Sequence, residues 1–319
     1  MTDYNLPTAI IPLGIMKYIK KSIKNFLLKF PPYKGLYMEL NKYKTYHPPG
    51  HYYSPIPDIE TIKKSEKRIF DRSKKGLAGI NLNENQQIEL LEKLSKYYEE
   101  LPFKEEQIPE LRYRYNNGTY CYSDAIFLYS MIRHLKPAQI IEVGSGFSSA
   151  LMLDTNELFF YNQIDITFIE PFPVLFKKLI KEDDKQRFRL METNLQDVDI
   201  SVFKKLHAND ILFIDSTHVA KTGSDVNYIF FEILPSLNPG VYIHFHDIFY
   251  PFEYPEEWIY KGFAWNEDYM LRTFLQYNNS FEIVMFNTFM EHFHEEWFAK
   301  EMPLCLKNKG GSIWIKKVI

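Results

Sequence analysis

The sequence has few cysteines, no long uncharged apolar run and no excess of basic residues. Cys121 and Cys305 are the 2 cysteines in 319 residues, and they are too few and too far apart for a disulfide framework or a zinc-binding spacing. No apolar run reaches the roughly 18 residues of a transmembrane helix. The net charge of −3 argues against a nucleic-acid binder, because such proteins present a basic surface. A reduced, cytoplasmic setting is predicted.

The first residues combine a short apolar piece with lysines, but in the wrong order for a secretory signal, since residues 9–16 precede the lysines. Residues 15–30 form a basic amphipathic pattern, with Ile19, Ile23 and Phe26 on one helical face and Lys20 and Lys24 on the other. Two interpretations are open. The segment binds a membrane surface, or it is a helix packed on the domain or on a second subunit of a homo-oligomer.

An N-terminal helical extension over residues 1–110 is predicted to precede a catalytic domain at 111–319. Residues 31–58 are rich in Pro, Tyr and His and indicate an extended connector, with Pro31 ending the preceding helix. Helical patterns follow at 59–73 and 84–100, the second of which Asn83 can cap.

From residue 139 the pattern alternates between apolar strands and helices. Strands are predicted at 139–143, 165–170, 187–192, 211–215 and 240–246, and helices at 148–160, 173–182, 200–207 and 223–236. Two further strand-like runs, 281–289 and 311–318, close the chain. The pattern predicts an α/β fold, with a mostly parallel seven-stranded sheet, helices on both faces and a C-terminal antiparallel hairpin.

A glycine turn follows the first of these strands. Glu142 ends the strand, Gly144, Ser145 and Gly146 form the turn, and Ser148 lies in the helix start. Glycine allows a sharp turn and lets a ligand approach the backbone, and the helix start offers free N–H groups. A turn of this kind indicates a nucleotide-type ligand.

Polar residues end the later strands as well. Glu170 lies 24 residues after Gly146, where an acid can accept both hydroxyls of a ribose, although it could also cap the next helix. Asp215 and His218 follow the fourth strand, and His246 and Asp247 end the fifth. In an open parallel sheet, ligands bind beyond such carboxyl ends.

These motifs together resemble those of class I S-adenosylmethionine (SAM)-dependent methyltransferases, which have a Rossmann-like fold. The matching residues are the acid-Val-Gly-x-Gly turn at 142–146, Glu170, the strand end at 210–219 and Leu-Asn-Pro-Gly at 237–240. The resemblance covers residues Tyr115 to Val318. Within it, the sequence is similar to the bacterial small-molecule methyltransferases that are related to catechol and macrolide-sugar O-methyltransferases. An acid before the first glycine and Ser149 in place of a third glycine favour SAM over NAD.

The resemblance implies a role for single positions on the donor side. Glu142 and the turn Gly144–Gly146 would face the methionine part of SAM, with Ser148 nearby. Glu170 would bind the ribose, Gln196 and Asp197 would contact the adenine, and Asp215 would border the same site.

It also implies an activating centre at the ends of strands four and five. Asp215 and Asp247 match the positions of metal-binding acids, but Ile248 stands where an amide often follows. His218 and His246 could complete the ligand set, which makes Mn²⁺, Fe²⁺ or Zn²⁺ as plausible as Mg²⁺. Alternatively, His218 or His246 is a general base and no metal is used, or His246 is structural and bonds to Asp247.

The predicted function is therefore SAM-dependent methyl transfer to a hydroxyl of a small molecule or sugar. The aromatic segment 249–269 could form the acceptor pocket or a core under a loop, and Asp124 could cap its helix or close over SAM. Residues 291–296, with their histidines and glutamates, are predicted to be a solvated helix face, and metal ligation is the alternative. The alternatives are an NAD-linked oxidoreductase and a non-catalytic protein of the same fold.

Overall fold

The structure is a computed structural model that describes residues 13–42 and 44–319. It divides into two compact units, one ending at Ile62 and one running from Lys63 to Ile319. Among the described residues, no helix is both long enough and apolar enough to cross a membrane. The boundary predicted at residue 110 stays a prediction.

The N-terminal unit contains two helices, α1 (Leu13–Leu27) and α2 (Pro31–Lys42). The extended connector predicted from residue 31 is therefore wrong over its first part. Pro31 does not only follow α1; it also opens α2, where a proline is tolerated because the first helical N–H has no partner in the helix. Lys24 of α1 lies over the ring of Tyr37 of α2, 4.3 Å from its centroid.

The larger unit is built on a seven-stranded sheet within the described residues, in the order β3-β2-β1-β4-β5-β7-β6. Its strands are Gln139–Val143 (β1), Asp165–Ile169 (β2), Arg189–Met191 (β3), Ile211–Ile214 (β4), Tyr242–His246 (β5), Phe281–Phe286 (β6) and Ser312–Lys317 (β7). β1 to β5 pair in parallel, while β7 is antiparallel to β5 and β6. The predicted sheet and its C-terminal antiparallel pair are confirmed.

Twelve α-helices follow α2 along the described chain. They are Ile59–Lys64 (α3, which begins in the N-terminal unit), Glu66–Ile69 (α4), Glu84–Tyr98 (α5), Tyr122–Leu135 (α6), Phe147–Phe160 (α7), Phe176–Leu179 (α8), Asp225–Tyr228 (α9), Leu234–Ser236 (α10), Glu256–Tyr260 (α11), Glu267–Leu275 (α12), Asn287–Phe293 (α13) and Glu295–Glu301 (α14). A π-helical turn, Ile229–Ile233, joins α9 to α10. The helix predicted at 200–207 is a 3-10 helix, Ile200–Lys205.

Two smaller predictions are wrong. The run 281–289 is strand only to Phe286, and Asn287 opens a helix. Asn83 adopts a left-handed backbone and makes no side-chain cap; its Nδ2 instead donates to the carbonyl of Ile283 at 3.1 Å. A long-range partner has thus replaced the local bond that the sequence suggested.

The core explains why the alternating pattern folds in this way. β4 is buried along its whole length, and so is β1 from Ile140 onward, as expected for parallel strands covered on both faces. β1 has β2 on one side and β4 on the other. The strand order therefore reverses at β1: β2 and β3 extend the sheet on one side, and β4 and β5 extend it on the other. A crevice forms at the carboxyl ends of the strands at this point.

Candidate active site

The loop after β1 closes tightly onto the end of β4. Gly144 has a φ of +84°, and a Cβ atom at this position would lie 2.3 Å from the carbonyl oxygen of Asp215. The Asp215 N–H donates to the carbonyl of Val143 at 2.9 Å. Glycine is required at residue 144 for both reasons, since a side chain would be strained and would collide with backbone. The turn places Asp215 directly beside the loop.

Glu142 holds the loop to the helix rather than facing the crevice. Its carboxyl group is fully buried and accepts hydrogen bonds from the hydroxyls of Ser148 and Ser149. Burial raises the pKa of Glu142 to about 8, although the two serines oppose the shift. Neither Glu142 nor Ser148 lines the crevice. The contact of these two residues with a ligand therefore stays a prediction.

The crevice itself is a cavity of about 360 Å³. Its lining includes Gly144, Glu170, Gln196, Asp215 and Asp225. The structure thus brings together Gly144, Glu170, Gln196 and Asp215, which the sequence assigned to one site, from four separate loops; Asp225 was not among the predicted residues. Asp197 lies in the same 3-10 turn as Gln196 but does not line the cavity.

Glu170 is held in place by backbone groups. Its Oε1 accepts from the N–H of Phe172 at 2.7 Å, and its Oε2 from the N–H of Ser145 at 3.3 Å. A carboxylate has about four acceptor positions, so capacity remains for hydroxyls of a ligand. Glu170 therefore caps the turn that follows β2 and lines the crevice, and its binding of a ribose stays a prediction. The hydroxyl of Ser145 is buried without a partner among the described residues.

The polar ends of β4 and β5 converge on His218. Its Nε2 lies 3.3 Å from Oδ1 of Asp215 and 3.6 Å from Oδ2 of Asp247. One ligand atom from each of the three residues lies within 4.8 Å of the other two. His246 is outside this group of three; its Nε2 lies 3.6 Å from Oδ1 of Asp247.

The ring of His218 is oriented from its other nitrogen. Nδ1 lies 2.8 Å from Oε2 of Glu267, the first residue of α12. Ser216 donates to both oxygens of Glu267 at 3.0 Å and accepts the His218 N–H at 3.0 Å. The ring of Trp265 lies 4.4 Å from that of His218. These contacts aim Nε2 at the two aspartates.

The backbone is strained at two of the same residues. His218 has a φ of +59° and Asp247 a φ of +55°. A left-handed conformation costs a residue with a side chain about 1–2 kcal/mol, and such strain concentrates at functional sites. The surrounding structure compensates for it: the His218 carbonyl accepts the N–H groups of Asn266 and Glu267, and the Ile248 N–H donates to Gly311.

Carboxylates outnumber the single histidine in this centre. Burial disfavours the charged form of His218, but its contacts with Asp215 and Glu267 outweigh this effect and raise the pKa of His218 well above the ordinary value. Burial also raises the pKa of Asp247. The cluster therefore holds two partly exposed aspartates beside a buried histidine, whose positive charge the acids stabilise.

A second cavity of about 460 Å³ begins at Asp247 and His246. Phe249 and Trp258 from the predicted aromatic segment line it, together with Asp124. His246 is 7% exposed, and its Nδ1 has no hydrogen-bond partner in the described part of the chain. An unpaired buried nitrogen at a cavity wall is available to a ligand, because burying it without any partner is costly.

Known proteins resemble this chain in sequence and in fold. A family model described as a methyltransferase domain matches residues 141–248, the stretch from β1 to just beyond β5 that carries the crevice and the His218 centre. The chain belongs to the class I SAM-dependent methyltransferases. The choice between SAM and NAD that Glu170 left open is settled by this match.

One relative and two solved structures illustrate the similarity to this methyltransferase. An uncharacterized protein of Archaeoglobus fulgidus is 36% identical over 174 residues, which cover 51% of this chain and 75% of the relative. A methyltransferase of Podospora anserina, bound to S-adenosylhomocysteine (SAH), is 13% identical with a TM-score of 0.43, covering 82% of this chain and 97% of its own. An O-methyltransferase of Streptomyces achromogenes involved in tomaymycin synthesis, in complex with SAM, is 12% identical with a TM-score of 0.44, covering 71% and 96%.

Sequence reasoning gave no contact to Glu267, placed Glu291 on a solvated face and left the role of Asp124 open. Glu267 orients His218, yet its position at the start of α12 indicates only a helix N-terminus. Glu291, predicted to be solvated, is fully buried. Its carboxylate accepts hydrogen bonds from the Ser123 hydroxyl and from the Gly310 N–H, the latter at 3.1 Å.

Asp124 is not the N-cap of α6, which is Cys121. The Asp124 carboxylate accepts hydrogen bonds from the Ser312 hydroxyl at 2.7 Å and from the Gly311 N–H. The partners of these three acids are far away in sequence.

Proposed function

We propose that this methyltransferase transfers the methyl group of SAM to a hydroxyl oxygen of a small molecule. The observation that carries the proposal is the position of the Asp215–His218–Asp247 centre. Asp215 lines the crevice and Asp247 lines the second cavity, and Nε2 of His218 lies within 3.6 Å of a carboxylate oxygen of each. A donor site and an acceptor site thus meet at one group of polar side chains.

The crevice fits the donor. When bound, SAM supplies a methyl group on a positively charged sulfur. Glu170 has acceptor capacity for ribose hydroxyls, and Gly144 lines the crevice with it. Gln196, whose Nε2 is held by the Gly223 carbonyl at 2.7 Å, would border the adenine. The acids around the crevice favour a cationic donor.

The second cavity fits a small acceptor. Its volume of about 460 Å³ is within the range of roughly 300–1,000 Å³ typical of small-molecule sites. Charged and aromatic side chains line it together, including Asp124, Trp258 and Lys309. A polar, hydroxyl-bearing molecule matches that lining better than a purely apolar one.

Oxygen is the favoured acceptor atom because a hydroxyl must lose its proton to attack a methyl group. Two chemistries use the same residues for that step. Asp215, His218 and Asp247 would hold a divalent cation, which lowers the pKa of a bound hydroxyl; alternatively, His218 in its neutral form accepts the proton at Nε2. The donor set fits a cation, since two carboxylates and an imidazole bind Mn²⁺, Fe²⁺ or Zn²⁺ well.

The Glu267 contact is consistent with both chemistries. Histidines that bind metals usually donate their second ring N–H to a carboxylate, and so do histidines that act as general bases. In either case Glu267 fixes Nδ1, and Nε2 faces Asp215 and Asp247. We favour the cation, because the three residues already lie at ligand spacing and carry an excess of negative charge.

Calorimetric titration tests the donor assignment. The full chain should bind SAH with at least tenfold higher affinity than NAD. Replacing Glu170 by Gln should weaken SAH binding about 10- to 100-fold, because a charged acceptor contributes roughly 1.5–3 kcal/mol. The matched control is Glu192→Gln, at an exposed acid beyond β3. Tighter binding of NAD, or equal SAH affinity in the Glu170 and Glu192 variants, would contradict the proposal.

A methylation assay tests whether the acceptor is a hydroxyl of a small molecule. Purified protein, SAM and a panel of hydroxyl-bearing small molecules should give methylated product detectable by mass spectrometry. His218→Ala should remove that activity while SAH binding is retained. If product forms equally well without His218, the activating centre is wrongly assigned. If SAH binds but no acceptor reacts at any divalent metal concentration, the chain is a non-catalytic member of the fold.

A further inference from the structure

The N-terminal unit carries a charge pattern unlike that of the rest of the chain. Between Tyr4 and Met38 the sequence has six lysines, at 17, 20, 21, 24, 29 and 34, and no acid. The whole chain has a net charge of −3, so the remaining residues together carry about −9. A basic block in an acidic protein indicates a partner of negative charge.

The lysines and the apolar residues of α1 occupy different sides of the helix. With 100° per residue, Ile19, Ile23 and Phe26 fall within an arc of about 60°, and Lys20, Lys21 and Lys24 within about 100°. The helix spans 15 residues, Leu13–Leu27, which gives a length of roughly 22 Å. The pattern of an apolar stripe beside a lysine stripe is typical of helices that lie in a membrane interface.

The apolar stripe is exposed rather than used in packing. Ile23 is 54% exposed and Phe26 is 59% exposed, and Phe30 beyond the helix end is 46% exposed. α2 adds Leu36 at 59% and Leu40 at 61%. Phe26 and Phe30 contact each other edge-on, with centroids 5.5 Å apart. The contact between Phe26 and Phe30 makes part of this exposed apolar surface continuous, and such a patch marks an interaction surface.

We propose that residues 13–38 bind the surface of an anionic lipid bilayer. The apolar stripe of α1 would enter the interface, and Lys20, Lys21, Lys24 and Lys29 would contact lipid phosphates. The charge argument selects this partner over a second copy of the chain. An apolar contact between copies needs no lysines, and pairing two such units would bring their positive charges together.

Binding is reversible surface attachment and not insertion across the membrane. α1 is shorter than the roughly 20 residues of a spanning helix. Attachment would hold the methyltransferase near acceptors dissolved in, or released from, the membrane. The proposal stands apart from the methyl-transfer chemistry, because its residues are not part of the donor or acceptor cavity.

Vesicle sedimentation tests this surface with the full-length protein. We expect binding to vesicles of phosphatidylcholine mixed with phosphatidylglycerol, and little binding to phosphatidylcholine alone. The Lys20→Glu/Lys21→Glu variant should bind at least about tenfold more weakly, because each basic residue near an anionic surface contributes roughly 1 kcal/mol. Its matched control is Lys204→Glu/Lys205→Glu, an adjacent exposed pair at the end of a 3-10 helix.

A second pair of variants separates apolar insertion from charge attraction. Phe26→Ser should weaken vesicle binding several-fold, whereas Phe231→Ser, at a similarly exposed phenylalanine (61%), should not. Thermal unfolding and SAH binding should be the same in all four variants. Equal loss in both lysine variants would overturn the proposal. Failure of the wild-type protein to bind anionic vesicles would also overturn it. So would light scattering that shows a wild-type dimer which Phe26→Ser, and no other variant, converts to a monomer.

Discussion

Nδ1 of His218 lies 2.8 Å from Oε2 of Glu267, although 49 residues separate them in the chain. The contact joins the loop after β4 to the first turn of α12. Because Glu267 is fully buried and also bonded by Ser216, its carboxylate is a fixed support. The geometry makes Glu267 a positioning residue for His218 in either form of the proposed chemistry.

Glu267→Gln should lower turnover about 10- to 100-fold, the usual cost of losing a supporting partner of this kind. SAH affinity should stay within about twofold, since Glu267 does not line the crevice. Measurement of kcat, together with SAH affinity by calorimetry, checks that turnover falls while donor binding is unchanged. The control is Glu282→Gln, at an exposed position of β6. Unchanged kcat in Glu267→Gln would mean that the contact is structural only.

Gly144→Ala should destabilise the protein strongly and abolish SAH binding. A Cβ at this residue would lie 2.3 Å from the Asp215 carbonyl, so the loop or β4 must move. We expect a loss of about 2–5 kcal/mol in unfolding free energy, from left-handed strain and overpacking together. Gly262→Ala is the control, because its φ is +91° but no atom lies within 4 Å of the added Cβ. It should lose only about 1–2 kcal/mol, as measured by denaturant unfolding.

Titration of Mn²⁺ into the protein should give saturable binding at one site. Asp215→Asn and Asp247→Asn should each weaken it about 100-fold, while Asp183→Asn, at an exposed position, should have no effect. A chelator should then abolish turnover, and added Mn²⁺ should restore it. The metal assignment fails if turnover survives the chelator, and His218 would then be the proton acceptor.

Stability should fall as the pH rises through neutrality, in part because of Glu291. Burial raises the pKa of Glu291 to about 8, above the ordinary value near 4.3 of an unfolded chain. Between these two values the folded state binds the proton more tightly than the unfolded state does, so unfolding becomes easier with increasing pH. Glu291→Gln keeps the shape but cannot ionise. Its melting temperature should drop less than that of the wild type between pH 5 and pH 8; an identical drop would contradict this origin.

Arg112→Met should cost about 3–5 kcal/mol of stability, because it leaves buried carboxylates unpaired. The Arg112 guanidinium is 1% exposed and contacts Asp154 and Glu157 at 2.7 Å, and also Asp184. These bonds join the segment before α6 to α7 and to the turn after α8. Arg189→Met, at an exposed position of β3, should change stability by less than about 0.5 kcal/mol. Denaturant unfolding of both variants measures the difference.

Much of the fold could be predicted because its signals are local. Buried parallel strands are apolar over four or five residues, and β4, Ile211–Ile214, follows that rule closely. Errors arose where a distant partner competed with a local one. Asn83 bonds to Ile283 instead of capping α5, and Asp124 bonds to Ser312 instead of capping α6. Pro31 is predicted to end a helix, but its fixed backbone angle also suits a helix start.

The sequence by itself determined the order of elements, the glycine at 144 and which polar residues end the strands. It did so because strand periodicity, glycine turns and residue chemistry are properties of neighbouring residues. Only the tertiary structure decided which of those polar residues meet. Parallel pairing of β1, β4 and β5 puts Asp215 and Asp247 at one edge, and α12 brings Glu267 to His218. A contact across 49 residues leaves no mark in local sequence, because packing of the whole sheet and its helices creates it.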